Sequence, residues 1–386
     1  MSRFTQAIPL SLYIHLPWCL KKCPYCDFNS HTVHDELPET AYIDALIADL
    51  EQDLPRIWGR SIHTVFIGGG TPSLFSAASF ARLLDALQAR LRFNRGIEIT
   101  LEANPGTAEQ EKFKAYRDIG INRLSLGIQS LSDHFLKKLG RIHDAANAIA
   151  AIDCARQAGF SRLNCDLMYA LPGQSTQQAL ADLSALIAIA PPHLSWYQLT
   201  IEPNTRFYHE RPQLPNDEVS WEITTEGQAL LQAHGYAHYE ISAYAQHQQF
   251  CQHNLNYWQY GDYLGIGAGS HSKITDVANG TITRLAKQRH PKAYLNPETS
   301  FISQETLVTP DEYGFEFMLN HLRLYQPINE GLFHARTGLY FQDIQGALNT
   351  AADKDLLSVD TDTLALTDLG KRFYNDLVTL FLPDDK

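Results

Sequence analysis

Three cysteines fall within eight residues, as Cys19-x3-Cys23-x2-Cys26, in the stretch SLYIHLPWCLKKCPYCDFN over residues 11–29. Thiolates are soft ligands suited to zinc, copper(I) or iron–sulfur clusters. Pro17 and Pro24 each remove an N–H and fix φ, so the thiols belong on a loop and not on one continuous helix. A short loop with three thiols can wrap one compact object. Three thiolates also leave one iron of a four-iron cluster without a protein ligand, open to something exchangeable. A zinc knuckle would bring a second C-x2-C pair or a distant H-x3–5-H. No second pair follows, although His15 or His31 offers a fourth ligand, so zinc stays open on these residues alone. Six cysteines, half of them in one cluster, match the usage of a reducing compartment and argue against disulfides.

Such a loop needs a scaffold, and the chain from residue 11 to about 202 supplies a repeating one. Short apolar, β-branched runs alternate with amphipathic stretches: SLYIHL (11–16), TVFIGGG (64–70), EITLEANP (98–105), NRLSLGIQS (122–130), RLNCDLMYALP (162–172) and HLSWYQLTIEP (193–203). Runs of this kind, ending in Gly, Pro or Asn, read as buried parallel strands. The intervening segments read as helices, one with Pro38 at its start and one with Ser76 as its cap. The fold class predicted is α/β, a partial (β/α)6-type barrel resembling a TIM barrel, in which functional groups sit at the C-terminal ends of the strands. Reading those ends gives the cysteine loop, Gly68-Gly69-Gly70-Thr71, Glu102, Gln129, Asp166 and Thr200. One polar or glycine element per strand on one face is hard to obtain by chance.

Each element also has an ordinary reading. A glycine run lets the backbone approach a ligand and offer N–H groups to an anion, but it equally makes a tight turn. Glu102 can accept from an ammonium or a hydroxyl, or simply cap a helix. Asp166, among Leu163, Leu167 and Met168, must be paired or hydrogen-bonded if buried.

After Pro203 the pattern changes. NTRFYHERPQLPNDEVSW reads as a loop over the barrel mouth, VSWEITTEGQALLQAHG as a helix ending at Gly235, and YAHYEISAYA as a strand. An aromatic, His- and Gly-rich stretch follows over 251–272, with residues 273–300 expected as a connector. From about 305 the chain reads as helices with a short alternating pair (LLSVD, TLALT), a smaller, mainly helical, winged-helix-like C-terminal domain. The units expected are therefore 1–235, 236–300 and 301–386.

The net charge of −12 and the acidic C-terminal segment disfavour nucleic acid and anionic membranes as partners. Lys21, Lys22, Lys137, Lys138 and Arg141 could still form a local basic patch. No apolar run approaches the length of a membrane span and no signal-peptide pattern opens the chain, so a cytoplasmic location is expected.

The spacing C-x3-C-x2-C, with Tyr25 before the last cysteine, resembles the signature of the radical S-adenosylmethionine (SAM) superfamily. Within it, SLYIHLPWC…CPYCDFNSH resembles the branch of oxygen-independent coproporphyrinogen III oxidases and their heme-chaperone relatives, and the resemblance runs over nearly the whole chain. It implies a [4Fe–4S] cluster on Cys19, Cys23 and Cys26. It implies SAM held by Tyr13, Tyr25, Gly69, Gly70, Thr71, Glu102, Gln129, Arg141, Asp166 and Thr200. His253, Asn254 and Tyr257 form H-N-x-x-Y, which matches a motif of the branch and makes them candidates for heme contact, with Cys251 as another ligand type nearby. GIGAGSHS resembles a second cofactor-facing glycine stretch. The oxidases carry a further cysteine two positions after the third and a longer segment before the first strand; here Phe28 stands at that position and about ten residues precede the strand. Both differences favour a chaperone that binds heme and passes it to an acceptor protein over a radical oxidative decarboxylase, and the resemblance implies a homodimer.

Overall fold

The computed structural model describes Phe4 and residues 7–34, 36–57, 59–106 and 109–383. Six strands, β1 (Leu10–Leu16), β2 (Ser61–Gly69), β3 (Arg92–Ala103), β4 (Arg123–Gln129), β5 (Arg162–Tyr169) and β6 (His193–Gln198), lie side by side in chain order. Every neighbouring pair among them is parallel. Helices Glu39–Ile57, Ala77–Arg90, Glu109–Asp118, Ala145–Gln157 and Thr176–Ile189 connect them. The sequence explains the helix starts: the Ser76 hydroxyl accepts from Ser79 N–H, and Asp144 and Ser175 each close a capping box. One large apolar cluster fills the space between strands and helices, from Leu12, Ile14 and Val65 to Leu124, Leu163 and Leu194.

The sheet continues at both ends. β7 (Ala237–Glu240) and β8 (Ala243–Ala245) add antiparallel beyond β6. On the other side β9 (Asp262–Ile266) pairs parallel with β1, followed by the antiparallel strands β10 (His271–Asp276), β11 (Thr281–Lys287) and β12 (Ile302–Val308). Residues 273–300, expected as a connector, therefore contain most of two strands. The reason lies in TITRLAK, whose half-buried alternation fits a strand packed on one face, and in Lys287, whose ammonium is buried against Asp49 and Asp53, 2.5 Å from each.

The expected helix ending at Gly235 spans Asp217–Ala233, with Gly235 at φ +79° closing the turn. Toward the C-terminus, helices Tyr313–His321, Glu330–Thr337 and Gln345–Asp353 pack around a second apolar cluster that includes Phe317, Phe333 and Leu364. The alternating pair is present as Leu357–Val359 against Thr363–Leu366, with Ile328–Asn329 as a third strand. Among the described residues no helix is long and apolar enough to cross a membrane.

Candidate functional site

The cysteine loop leaves β1 and returns over the strand ends. Cys19 sits in a two-residue strand that pairs with His31–Thr32, while Cys23 and Cys26 lie on the turn between. Main-chain groups close that turn: Cys26 N–H donates to Cys23 O and His31 N–H to Pro17 O. Lys22 Nζ donates to the Phe28 and Ser30 carbonyls, and so binds the loop to itself instead of presenting a free charge.

All three thiols line one cavity of about 400 Å³ at the C-terminal ends of the parallel strands. Gly69, Gly70, Thr71, Glu102, Gln129, Arg141 and Asp166 line the same cavity, as do Tyr25 and Asn254. Tyr13 and Tyr257 line a second, adjoining cavity; Gly69, Glu102 and Phe28 border both. Thr200 is exposed and lines neither. Of the lysines considered, Lys21 and Lys22 reach the thiol-lined cavity, whereas Lys138 Nζ donates to the Pro172 carbonyl 2.7 Å away.

The glycine run works differently from the anion cradle it suggests. Gly69 N–H donates to Glu102 Oε2 (3.0 Å), Gly70 N–H to Leu16 O (2.8 Å) and Thr71 N–H to Trp18 O (2.7 Å). All three donors are occupied by the chain itself. A Cβ on Gly69, at φ +122°, would lie 2.7 Å from Leu16 O, and one on Gly70 would collide with the Trp18 carbonyl. These glycines are what allows the end of β2 to press against the root of the cysteine loop.

Arg141 orders the opposite wall. Its guanidinium lies 3.6 Å from Cys23 Sγ and donates to Asn104 Oδ1 (2.5 Å) and Gly127 O (2.9 Å). Asn104 in turn donates to Thr71 Oγ1 (2.9 Å), so one polar chain links the glycine run to a thiol. Gln129 ends β4 with φ +68°, a left-handed conformation that a non-glycine residue adopts only under constraint, and its Oε1 accepts from Tyr197 Oη at 2.7 Å. On the third side, Phe207 N–H donates to Pro24 O and its ring packs on Tyr25. The segment after Pro203 thus rests on the cysteine loop.

Two carboxyls sit in the floor of this cavity. Burial, with the nearby Asp166 charge adding to it, pushes Glu102 up to about 8. Burial also raises Asp166, although Asn164, Ser195, Arg123 and Ser125 oppose the shift. Asn164 donates to Asp166 Oδ1 at 2.7 Å. The free thiol of Cys19 is likewise pushed up, to about 11, chiefly by burial. Thiols that would gain from a metal partner and carboxyls that would gain from a cationic or hydroxyl-bearing one face a single space. This donor set fits an iron–sulfur cluster beside a zwitterionic sulfonium nucleoside.

His253 is placed away from both cavities. Its ring is 1% exposed, Nδ1 lies 2.8 Å from Thr64 Oγ1 and Nε2 lies 3.1 Å from Tyr257 Oη. Because the Thr64 hydroxyl donates to Ser11, Nδ1 is the donor and Nε2 accepts from Tyr257. Burial lowers the ring to about 3, so it is neutral. In this arrangement the histidine fixes Tyr257 and presents no nitrogen to a ligand.

The lining residues that strand-end reading misses are Arg123, Ser125, Asn164, His193, Ser195 and Tyr197. The signal was period-two: Arg123, Ser125, Gly127 and Gln129 alternate along β4, and His193, Ser195 and Tyr197 along β6.

The profile of the Radical SAM superfamily matches residues 13–185, and that of the HemN C-terminal domain matches residues 308–373. A relative from Haemophilus influenzae named "Heme chaperone HemW" is 48% identical over 98% of this chain and 99% of its own length. One of the same name from Escherichia coli is 46% identical over 97% and 99%. Coproporphyrinogen III oxidase (HemN) from Escherichia coli, a solved structure described as a radical SAM enzyme, superposes with a TM-score of 0.83 over 97% of this chain and 90% of its own, at 24% identity. That last likeness concerns the fold.

Proposed function

We propose, for a chain that belongs to the family of the heme chaperone HemW, that it binds heme and passes it to an acceptor protein, with a [4Fe–4S] cluster and exchangeable SAM bound beside the cargo. The observation that carries this reading is similarity to named heme chaperones over essentially the full length of both chains. Phe28, standing where oxidases of the branch carry a further cysteine, points the same way.

In this reading Cys19, Cys23 and Cys26 ligate the cluster. When bound, the cluster and SAM supply one-electron chemistry at a sulfonium carbon. The chain's own part is positional. Arg141, within 3.6 Å of Cys23 Sγ, offsets thiolate charge and fixes that ligand. Glu102 and Asp166 accept from the amino group and ribose hydroxyls of SAM, and Gln129 and Tyr25 border it. Gly69, Gly70 and Thr71 shape the wall against which it rests, and Tyr13 supports that wall from the adjoining cavity. Thr200, exposed and outside both cavities, has no place in this set. Of the H-N-x-x-Y residues, Asn254 borders the thiol-lined cavity and Tyr257 the adjoining one, with His253 buried behind and bonded to Tyr257. The same reading carries a cytoplasmic location, a homodimer, and units at 1–235, 236–300 and 301–386.

The test uses the anaerobically reconstituted chain. It is expected to bind hemin stoichiometrically and to release it to an acceptor protein, followed in the Soret region. Steady conversion of coproporphyrinogen III in the presence of reductant and SAM would overturn the chaperone reading in favour of the oxidase.

A further inference from the structure

Several polar residues of the thiol-lined cavity that lie below the strand ends form one connected chain. Sheet register sets Ser125 of β4, Asn164 of β5 and His193 of β6 side by side, with Asp166 and Ser195 paired further along the last two strands. All of them line the cavity. Asn164 Nδ2 donates to Asp166 Oδ1 (2.7 Å) and to Ser125 Oγ (2.8 Å). Asn164 Oδ1 accepts from Ser195 Oγ (3.1 Å) and lies 2.6 Å from His193 Nδ1. His193 Nε2 lies 2.7 Å from Tyr239 Oη on β7, and that oxygen accepts from the Cys251 N–H (3.2 Å).

These bonds run in one direction. His193 is 2% exposed, and burial, with Arg123 and Arg162 close by, holds its ring well below the ordinary histidine range, so it carries one proton and not two. An amide oxygen can only accept, which puts that proton on Nδ1. Nε2 is then a bare acceptor and takes the Tyr239 hydroxyl proton. The opposite tautomer would aim two N–H groups at the Tyr239 oxygen, leave the phenol proton without a partner and set Nδ1 against an oxygen with no proton between them. Asn164 could satisfy that tautomer only by turning its amide over, which would point its oxygen at Asp166. Two acceptors would then face each other unless the carboxyl took up a proton. Tyr239 and His193 thus govern, through Asn164, whether Asp166 meets the cavity as an acceptor or as a donor.

We propose that His193 is a positioning residue for cofactor recognition: by locking Asn164 with its nitrogen toward Asp166, it keeps Asp166 an acceptor for a ribose hydroxyl of SAM and so selects a ligand that carries that hydroxyl. The proposal rests on the SAM-binding reading and deepens it. His193 itself has both ring nitrogens occupied and offers neither to the ligand.

The experiment titrates the anaerobically reconstituted full chain, by calorimetry, with SAM and with the analogue in which hydrogen replaces both ribose hydroxyls. The wild-type chain is expected to prefer SAM about tenfold or more. His193→Phe keeps an aromatic ring and removes both hydrogen bonds. Its SAM affinity should fall about tenfold while its affinity for the analogue stays within about twofold of wild type, with iron and sulfide content unchanged. Tyr239→Phe frees the tautomer and leaves the ring beside the amide, and should reduce the preference about threefold. An unchanged preference in His193→Phe would overturn the proposal, as would equal weakening of SAM and analogue, the mark of a residue that only holds the fold. If His193→Phe does not take up its cluster, Tyr239→Phe decides: a reduced preference supports the proposal and an unchanged one sinks it. A wild-type chain that binds SAM and the analogue equally well also sinks it and leaves SAM binding standing. A wild-type chain that binds neither overturns the SAM reading instead.

Discussion

The thiol-lined cavity takes its polar groups from alternate positions of neighbouring parallel strands, whereas the aromatic cavity beside it draws its walls from β1, the ends of β2 and β3, the cysteine loop, the helix after Cys251 and strands β9–β12. In the first, Arg123, Ser125 and Gln129 on β4 face Asn164 and Asp166 on β5 and Ser195 on β6, each side chain fixed by the register of the sheet. In the second, Tyr257 is held by His253, and Tyr263 by Arg284, through single hydrogen bonds. A cavity set by register tolerates little change and suits a cofactor of fixed geometry. The second cavity shares that register through Tyr13, Tyr263 and His271, and adds Phe28 from an exposed loop tip and Tyr257 from a helix.

The strongest way to break this contrast is to remove a thiol. Cys23→Ala is expected to reduce the reconstituted iron and sulfide content to background while far-UV circular dichroism stays unchanged, because the cysteine sits on a turn and not in the sheet. If the variant instead unfolds, the thiol-lined cavity depends on its cofactor and is not set by register. Next in size is Gly70→Ala. The new methyl meets the Trp18 carbonyl, so the end of β2 and the root of the loop must separate. Chemical denaturation should show a loss on the order of 2–4 kcal/mol.

A pH experiment sharpens the electrostatic side of the comparison. Glu102 lies at about 8 in the folded chain, against an ordinary value of 4.5. Between those pH values the folded chain holds a proton that the unfolded chain has lost, so stability contributed by this group falls as pH rises through the window. Glu102→Gln removes that slope. The stability of the variant relative to wild type, in the SAM-free protein, should therefore increase from pH 5 to pH 8 by on the order of 1–3 kcal/mol, a figure discounted because the carboxyl faces an open cavity. A wild-type slope equal to that of the variant would place Glu102 in water. The smallest effect is expected from Tyr197→Phe, which removes the 2.7 Å bond to Gln129 and should cost about 1 kcal/mol, read as a small shift in denaturation midpoint.

The same contrast explains how much of the molecule was legible in advance. The cysteine loop, the six parallel strands and the residues Glu102 and Gln129 were readable because strand ends in a parallel barrel converge whatever the side chains do, whereas Asp166 lies mid-strand in β5 and reaches the cavity by its inward face. The inward alternation of RLSLGIQ and HLSWYQ carried the rest of the polar lining, but beside Leu and Trp it reads as a mixed buried strand. The anion-cradle role of the glycines was not predictable either way, because it depends on whether Leu16 O and Trp18 O lie close enough to take the N–H groups. Strands β10 and β11 were hidden by buried polar residues, Ser272, Lys273 and Thr275, and by a buried ion pair between Lys287 and Asp49, 238 positions apart. The direction of the His253 ring rests on Ser11 and Thr64, distant in sequence and individually unremarkable.

Asn29, three residues past the last thiol, is the pin on which both spaces turn. Its carbonyl takes the His15 Nε2–H, and its amide reaches the carbonyls of Ala268 (2.9 Å) and Arg289 (2.8 Å), one in the second glycine stretch and the other at the rim of the aromatic cavity. One side chain thus holds the thiol-bearing loop against two segments that lie 239 and 260 positions further along the chain.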